Sequence, residues 1–142
     1  MEQPQRSHEI QIRVRYAETD SMGYLHHANY FVYFEQGRTE LLRSSGLSYR
    51  EMESRGYYYV VARLECRFRA PAYYDDVLTL TTTTERLTPI RVDHRYQLTR
   101  HGQLLAEACS TLVCVGRDGR PRPLPDDLLE RLGGVTAPGG RD

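Results

Sequence analysis

The order of hydrophobic periodicities constrains the fold of this chain more than any other feature of its sequence. Residues 28–45 repeat apolar side chains three and four positions apart, which predicts one long helix with a single buried face. The other periodic segments alternate with a period of two, which predicts β-strands. The predicted buried stripe of the helix consists of Tyr30, Phe31, Phe34, Arg38, Leu41 and Leu42. One helix among strands predicts an α+β domain whose mostly antiparallel sheet curls around the helix.

One predicted strand precedes the helix, and four strands joined by short connections follow it. Before the helix, Ile10, Ile12 and Val14 alternate with polar residues. The later strands are predicted over residues 60–68, 77–86, 90–98 and 104–115. In the first of these four, strict alternation predicts one buried face and one wet, arginine-rich face. Its predicted buried set is Val60, Ala62, Leu64, Cys66 and Phe68.

Polar residues and glycines mark the ends of the predicted elements. Asn29 is suited to cap the start of the long helix, and Gly46 to end it in a left-handed conformation. Short helices are predicted over residues 48–55 and 126–132. His101-Gly102 predicts a hairpin turn, and Asp118-Gly119 predicts another turn. We expect the final residues, 133–142, to be frayed.

The size and charge of the chain exclude several classes of protein. Its 142 residues suit a single domain over residues 1–142. The 19 basic residues equal the 19 acidic ones, so net charge does not favour nucleic acid, and no segment is apolar over a membrane-spanning length. Three cysteines without a paired motif predict free thiols. The first residues contain no apolar signal segment, which predicts a cytoplasmic protein.

The segment between the first strand and the helix concentrates residues that are suited to chemistry. Asp20 lies in this predicted loop, and Gly23 permits close approach of the backbone. Backbone N–H groups near His27 and Ala28 are expected to point out of the helix start, where they favour negative charge. A carboxylate and oxyanion donors suffice for thioester hydrolysis. An Asx-turn role for Asp20 is an equally good interpretation of the residues alone.

Two stretches form a specific pattern. They read Tyr16-x-Glu18-Thr19-Asp20-x-x-Gly23-x-x-x-His27-x-Asn29-Tyr30 and Phe34-Glu35-x-x-Arg38-x-Glu40-Leu41-Leu42. This pattern resembles the opening of hot-dog acyl-CoA thioesterases of the 4-hydroxybenzoyl-CoA thioesterase family, especially the Tol–Pal-associated branch. The similarity covers about residues 9–132, which we take as the core of a hot-dog fold. It implies hydrolysis of an acyl-CoA or aroyl-CoA to the free acid and CoA, without a cofactor.

The resemblance also implies roles for particular residues. Asp20 corresponds to the essential carboxylate, which acts as base or nucleophile. His27 corresponds to the residue whose backbone N–H faces the thioester carbonyl, and its side chain is a second catalytic candidate. The doubled His26-His27 leaves open which imidazole faces the site. The residues assigned to substrate binding are Gly23, Tyr24, Val60, Val61 and Arg91. Arg91 is assigned from its charge, as one of several strand arginines suited to the phosphates of CoA, and a solvated strand face is the alternative role for it.

Other functions are weighed against this one. Asp20, His26, His27 and Glu35 form no recognised metal-ligand spacing, so we predict no metal site, and Glu35 is expected to pair with Arg38 on the helix surface. A non-catalytic acyl-CoA-binding or acyl-carrier-binding protein of the same fold is the main alternative. Release of thiol from acyl-CoAs distinguishes the two.

The predicted partners are the acyl-CoA substrate and further copies of the chain. A single helix leaves one long edge strand and one sheet face uncovered. Pairing such edges satisfies open backbone groups and gives a symmetric interface. We therefore predict a homodimer or a homotetramer of paired dimers. In the resembled family this interface contributes to the active site.

Overall fold

A computed structural model describes residues 6–133, which form one antiparallel sheet and three α-helices. The strands are β1 (Ser7–Arg13), β2 (Tyr58–Phe68), β3 (Val77–Leu87), β4 (Arg91–Arg100) and β5 (Gln103–Val115). The helices are α1 (His27–Ser44), α2 (Tyr49–Ser54) and α3 (Asp126–Arg131). The α+β prediction is confirmed, and so are the predicted elements to within a few residues. The predicted fraying concerns residues 134–142 beyond Gly133, which lie outside the described residues.

The strands lie in the order β1-β3-β4-β5-β2, so β1 and β2 form the two edges. Strands β3, β4 and β5 form a meander, and positive φ angles of 50° at His101 and 80° at Gly102 make the predicted turn between β4 and β5. The connections are short, as predicted, and eight residues separate β2 from β3. Strand β2 pairs with β5, so the chain crosses the sheet before β3 begins.

Helix α1 packs one face against the sheet, but its buried stripe differs from the prediction. Tyr33 is fully buried and Gly37 faces the sheet, whereas Phe31 and Arg38 are only half-buried. The glycine permits a close approach of the helix, because a Cβ at Gly37 would lie 2.7 Å from Leu80 Cδ2 and closer still to Thr82 Oγ1. The buried residues of α1 are Tyr30, Tyr33, Phe34, Gly37, Leu41 and Leu42.

The predicted burial pattern of β2 is wrong in two respects. The register shifts between Val61 and Arg63, so Ala62 is a bulge. Directly opposed residues share a face, and Val61 opposes Leu112 whereas Val60 opposes Val113. Val60 therefore lies on the opposite face from Leu64. As an edge strand without a neighbour in the chain, β2 also leaves its apolar side chains between 37% and 50% exposed, namely Val60, Val61, Leu64 and Phe68.

The ends of the short elements follow their sequence signals. Gly46 has a φ of +86° after α1, as predicted. Ser48 caps α2, because its hydroxyl accepts a hydrogen bond from the backbone N–H of Glu51 at 3.0 Å. Within the described residues, the helices are too short or too polar to cross a membrane.

Candidate active site

Asp20 closes a tight turn between β1 and α1. Its Oδ1 accepts hydrogen bonds from the backbone N–H groups of Met22 at 2.9 Å and Tyr24 at 3.1 Å. The N–H of Gly23 donates to the Asp20 carbonyl at 2.9 Å, and Gly23 adopts a φ of +81° that suits glycine. Asp20 is therefore an Asx-turn residue, which is one of its two predicted roles.

The second carboxylate oxygen of Asp20 is not used by this turn. Among the described residues, no hydrogen bond is made to its Oδ2. Asp20 as a whole is half-buried. One oxygen is fixed by two amides while the other remains available to a ligand. The Asx turn thus fixes the orientation of the Asp20 carboxylate through Oδ1 and leaves Oδ2 available to react.

Glu18 anchors the loop to α1, a role that the sequence did not reveal. Its buried carboxylate is only 6% exposed and accepts hydrogen bonds from the Tyr33 hydroxyl at 2.6 Å and the Arg15 N–H at 2.8 Å. Burial alone raises the pKa of Glu18, but these hydrogen bonds outweigh it and hold the pKa below its usual value. The Glu18 carbonyl also accepts from the His26 N–H at 2.8 Å and the Asn29 side chain at 3.0 Å.

The start of α1 leaves one backbone N–H free. His26 caps the helix, since its Nδ1 accepts from the Ala28 N–H at 3.1 Å, and its carbonyl accepts from the Asn29 N–H at 2.9 Å. The prediction that Asn29 caps the helix is therefore wrong, because its side chain binds Glu18 instead. Among the described residues, the backbone N–H of His27 has no acceptor. Of the two predicted amides, only that of His27 is thus available.

A cavity of about 290 Å³ joins the free carboxylate to the helix start. Asp20, Tyr24 and His27 line it, so the structure brings three of the predicted site residues together. The ring of His27 stacks on the ring of His26, with centroids 4.2 Å apart. His26 is committed to capping the helix, which leaves His27 as the imidazole at the cavity. The other lining residues are Leu25, Tyr30, Phe68, Arg69, Ala70 and Pro71.

The end of β2 and the connection after it supply the wall that the sequence did not predict. Phe68 packs edge-to-face on Tyr30, with ring centroids 4.8 Å apart. The Arg69 guanidinium is ion-paired with Glu107. These residues are distant in sequence from Asp20, and only the crossing connection between β2 and β3 brings them to the site. The only feature of the local sequence that indicates this wall is Pro71, which ends the alternating pattern of β2.

Three other predicted site residues lie away from Asp20 within the single chain. Val60 and Val61 occupy the opposite end of β2 from Phe68. Arg91 begins β4 and is paired with the Asp93 carboxylate through two contacts of 3.0 Å each. Arg91 also lies two strands from Val60, because both oppose Val113 of β5. Their roles in substrate binding therefore stay predictions.

The described residues contain no group of three or more histidine, cysteine or acidic side chains placed to hold a metal ion.

The three cysteines are free thiols, as predicted, although only Cys114 is fully buried. Burial raises the pKa of Cys66 and of Cys114 to about 11. These thiols are thus unsuited to act as nucleophiles near neutral pH.

Known proteins resemble this chain along most of its length. The model of the thioesterase-like superfamily matches residues 14–132. The acyl-CoA thioester hydrolase YbgC of Escherichia coli O6:H1 is 33% identical over 121 residues, covering 83% of this chain and 90% of the relative. The DHNA-CoA thioesterase of Staphylococcus aureus has a TM-score of 0.84 at 28% identity, covering 88% of this chain and 87% of that one. The 4-hydroxybenzoyl-CoA thioesterase of Pseudomonas sp. strain CBS-3 has a TM-score of 0.81 at 25% identity, covering 89% and 99%.

A five-stranded antiparallel sheet packed against one long helix, together with these similarities, identifies a hot-dog acyl-CoA thioesterase. The chain belongs to the thioesterase-like superfamily. The predicted family, fold and enzyme class are thereby confirmed.

Proposed function

We propose that this protein hydrolyses acyl-CoA thioesters at the cavity shared by Asp20 and His27. The observation that carries the proposal is the pairing of a free carboxylate oxygen with a free backbone N–H across one cavity. The Asx turn fixes the carboxylate, and the His26 cap fixes the helix start. Both reacting groups are therefore held in place before substrate binds.

The chemistry follows from these two groups. The His27 N–H, reinforced by the positive end of α1, donates to the thioester oxygen and stabilises the negative charge that develops on it. Asp20 Oδ2 either attacks the carbonyl carbon or takes a proton from an attacking water. In the first case the C–S bond breaks to release CoA as the thiolate, which takes a proton from solvent, and water then hydrolyses the acyl anhydride formed on Asp20 to the free acid. In the second case the C–S bond of the tetrahedral intermediate breaks, and the proton that Asp20 took from water passes to the departing sulfur. This route uses protein groups and water, so we predict that dialysis against a chelator leaves the rate unchanged.

We also propose that the active unit is at least a homodimer, with a tetramer formed by two such dimers. Strand β2 is an edge of eleven residues whose apolar side chains are partly exposed. Two copies of β2 paired antiparallel would place Val60 and Val61 of one chain beside Phe68 of the other. This arrangement explains why these predicted substrate-binding residues lie far from Asp20 within one chain.

The same proposal covers the location of the protein and the nature of its substrate. Three free thiols suit a reducing compartment, which supports the predicted cytoplasmic location.

Relatives named as acyl-CoA and aroyl-CoA thioesterases support a CoA ester as substrate. The length and shape of the acyl group depend on walls that the partner chain would supply.

The test of the proposed function is thiol release from a panel of acyl-CoAs by the unmodified protein. The panel spans short aliphatic, long aliphatic, benzoyl and naphthoyl groups, and a thiol-reactive dye records the rate. We expect turnover of at least one member at a rate well above the uncatalysed reaction. Tight binding of acyl-CoAs without release of thiol would instead identify a binding protein.

A further inference from the structure

A second cavity, lined by apolar side chains and a few polar ones, lies beneath the C-terminal half of α1, apart from Asp20. This inner cavity has a volume of about 40 Å³, which is room for a group of about three heavy atoms. Its polar lining includes Arg38, Tyr49, Tyr59 and His94. Arg38 lies three helical turns beyond His27, roughly 16 Å along the axis. The inner cavity is therefore not part of the site described above.

Two buried polar atoms at the inner cavity have no hydrogen-bond partner among the described residues. They are the hydroxyl of Tyr59 and Nδ1 of His94, and His94 as a whole is only 5% exposed. A buried polar group without a partner destabilises the fold, so native structures rarely keep one unless a ligand or water satisfies it. Burial, assisted by Arg38, lowers the pKa of His94 to about 4, so its imidazole is neutral. A neutral imidazole carries one N–H donor.

Arg38 brings a positive charge to the same place without an anionic partner. Its side chain is half-buried and donates a long hydrogen bond of 3.4 Å to the Tyr96 hydroxyl. That hydroxyl is already bonded to Ser110 Oγ at 2.6 Å. Among the described residues, no carboxylate lies within ion-pairing distance of Arg38, so the predicted pair with Glu35 is not formed. A partly buried guanidinium normally has an anion as its partner.

An outer cavity of about 220 Å³ connects this region to the surface and shares Arg38, Tyr49 and Tyr59 with the inner cavity. Val61 and Leu112 give it apolar walls. Two carboxylates, those of Glu35 and Glu53, also line the outer cavity. Both residues are exposed to solvent, so water screens their negative charge. An anion held at the inner cavity could therefore carry a short aliphatic chain along the wall of Val61 and Leu112, while the polar side of the outer cavity faces solvent.

We propose that the inner cavity binds the carboxylate of an aliphatic acid, with the acid's hydrocarbon chain in the outer cavity. The Arg38 guanidinium, the Tyr59 hydroxyl and an N–H of His94 donate to the carboxylate oxygens. Two sources present this chemistry. One is a free carboxylic acid, which is also the product of thioester hydrolysis. The other is the far end of a dicarboxylic acyl group whose thioester lies at Asp20 of a partner chain, and this source rests on the proposed function.

Calorimetric titration of hexanoate tests the site itself, with hexan-1-ol as the neutral ligand of matched length. We expect hexanoate to bind ~10-fold or more tightly than hexan-1-ol, because charge-assisted hydrogen bonds are the strong ones. Arg38→Met should abolish this preference, whereas Arg43→Met, which removes a charge from the exposed side of the same helix, should keep it. Tyr59→Phe should weaken hexanoate binding several-fold without loss of stability. Equal binding of the two ligands, or unchanged binding to a folded Arg38→Met variant, would overturn the proposal.

A kinetic arm separates the two sources. If the carboxylate belongs to the substrate, Arg38→Met lowers kcat/KM for a six-carbon acyl-CoA with a terminal carboxylate and not for hexanoyl-CoA. If it belongs to a free acid, hexanoate alters the turnover of hexanoyl-CoA in the unmodified protein and in Arg43→Met but not in Arg38→Met. Titrating hexanoate into Asp20→Asn keeps the binding test independent of catalysis. Hexanoate binding without turnover by the unmodified protein would reject only the proposed function.

Discussion

His27 contributes two groups to the active site, and two substitutions separate them. His27→Ala removes the imidazole from the cavity but keeps the backbone N–H, and we expect kcat/KM to fall by ~10-fold. His27→Pro also removes the N–H, and the change suits the first residue of a helix. The extended backbone of His26 is compatible with a following proline. We expect His27→Pro to cost a further ~10²-fold, the effect of one oxyanion donor.

The control for this pair is thermal unfolding, because both variants should keep the helix and melt close to the unmodified protein. Equal activity of the alanine and proline variants would show that the amide has no role. An alanine variant with unchanged kcat and pH profile would leave the amide as the only contribution of His27.

His94 should make the stability of the fold sensitive to mild acid. Burial lowers its pKa from 6.5 to about 4, so the unfolded chain takes up a proton between these values before the folded one does. Stability therefore falls as the pH drops from 7 to 5, by about 2 kcal/mol. Urea unfolding at the two pH values measures this loss. Most of it should disappear in His94→Asn and persist in His101→Asn, which changes an exposed histidine.

The comparison of stability is made between pH 7 and pH 5 because Glu18 also makes the fold sensitive to acid, at lower pH. Its pKa is lowered on folding, so its contribution is present above about pH 4.5 and is lost as the pH falls further. The two groups thus act in largely separate ranges. A His94→Asn variant that loses as much stability as the unmodified protein between pH 7 and 5 would contradict the assignment to His94.

At the scale of elements, Gly37 sets how closely α1 approaches the sheet. Alanine is the better helix former by about 1 kcal/mol. Its methyl group would nevertheless meet Leu80 and Thr82, both fully buried, at less than van der Waals distance. We expect Gly37→Ala to lower the free energy of unfolding by about 1–3 kcal/mol because overpacking outweighs helix propensity. Gln36→Ala, on the exposed side of α1, is the control, and an equal gain in both variants would contradict this account.

The elements themselves were largely predictable because their signals are local. The helical repeat of α1, the alternation of β4 and the glycine turns all depend on neighbouring residues, and each predicted element is present, although the buried stripe of α1 is shifted from the predicted one. The bulge at Ala62 was not predictable, since only the pairing of β2 with β5 reveals it. The place of β2 at the sheet edge was hidden for the same reason. Burial was therefore mispredicted where it depends on partners distant in sequence.

In the active site, too, the residues that are close in sequence were predictable and those that are distant in sequence were not. Asp20, Tyr24 and His27 lie within one short segment, so sequence alone could bring them together. The wall around Phe68 comes from a crossing connection that leaves no periodic signal. Glu18 was overlooked because a buried carboxylate resembles any other loop glutamate until Tyr33 and Arg15 are seen around it.

At the scale of the whole molecule, the exposed edge of β2 predicts self-association. Light scattering coupled to size exclusion at micromolar concentration should give at least twice the 16.5 kDa of one chain. Leu64→Glu places like charges near the centre of the paired strands and should reduce both mass and activity. Ile90→Glu introduces the same charge at an exposed isoleucine between β3 and β4 and should change neither. A stable, fully active monomer would contradict the shared site.

The most direct test of the central claim is the turnover of Asp20→Asn with the best acyl-CoA substrate. The amide keeps an oxygen for the N–H groups of Met22 and Tyr24, so the turn should persist, but it is neither base nor nucleophile. Asp118→Asn is the matched control, because Asp118 Oδ1 likewise accepts a backbone N–H, from Arg120 at 3.0 Å. We predict that kcat falls by ~10² or more in Asp20→Asn and not in the control. Near-normal turnover by a folded Asp20→Asn variant would contradict the proposed mechanism.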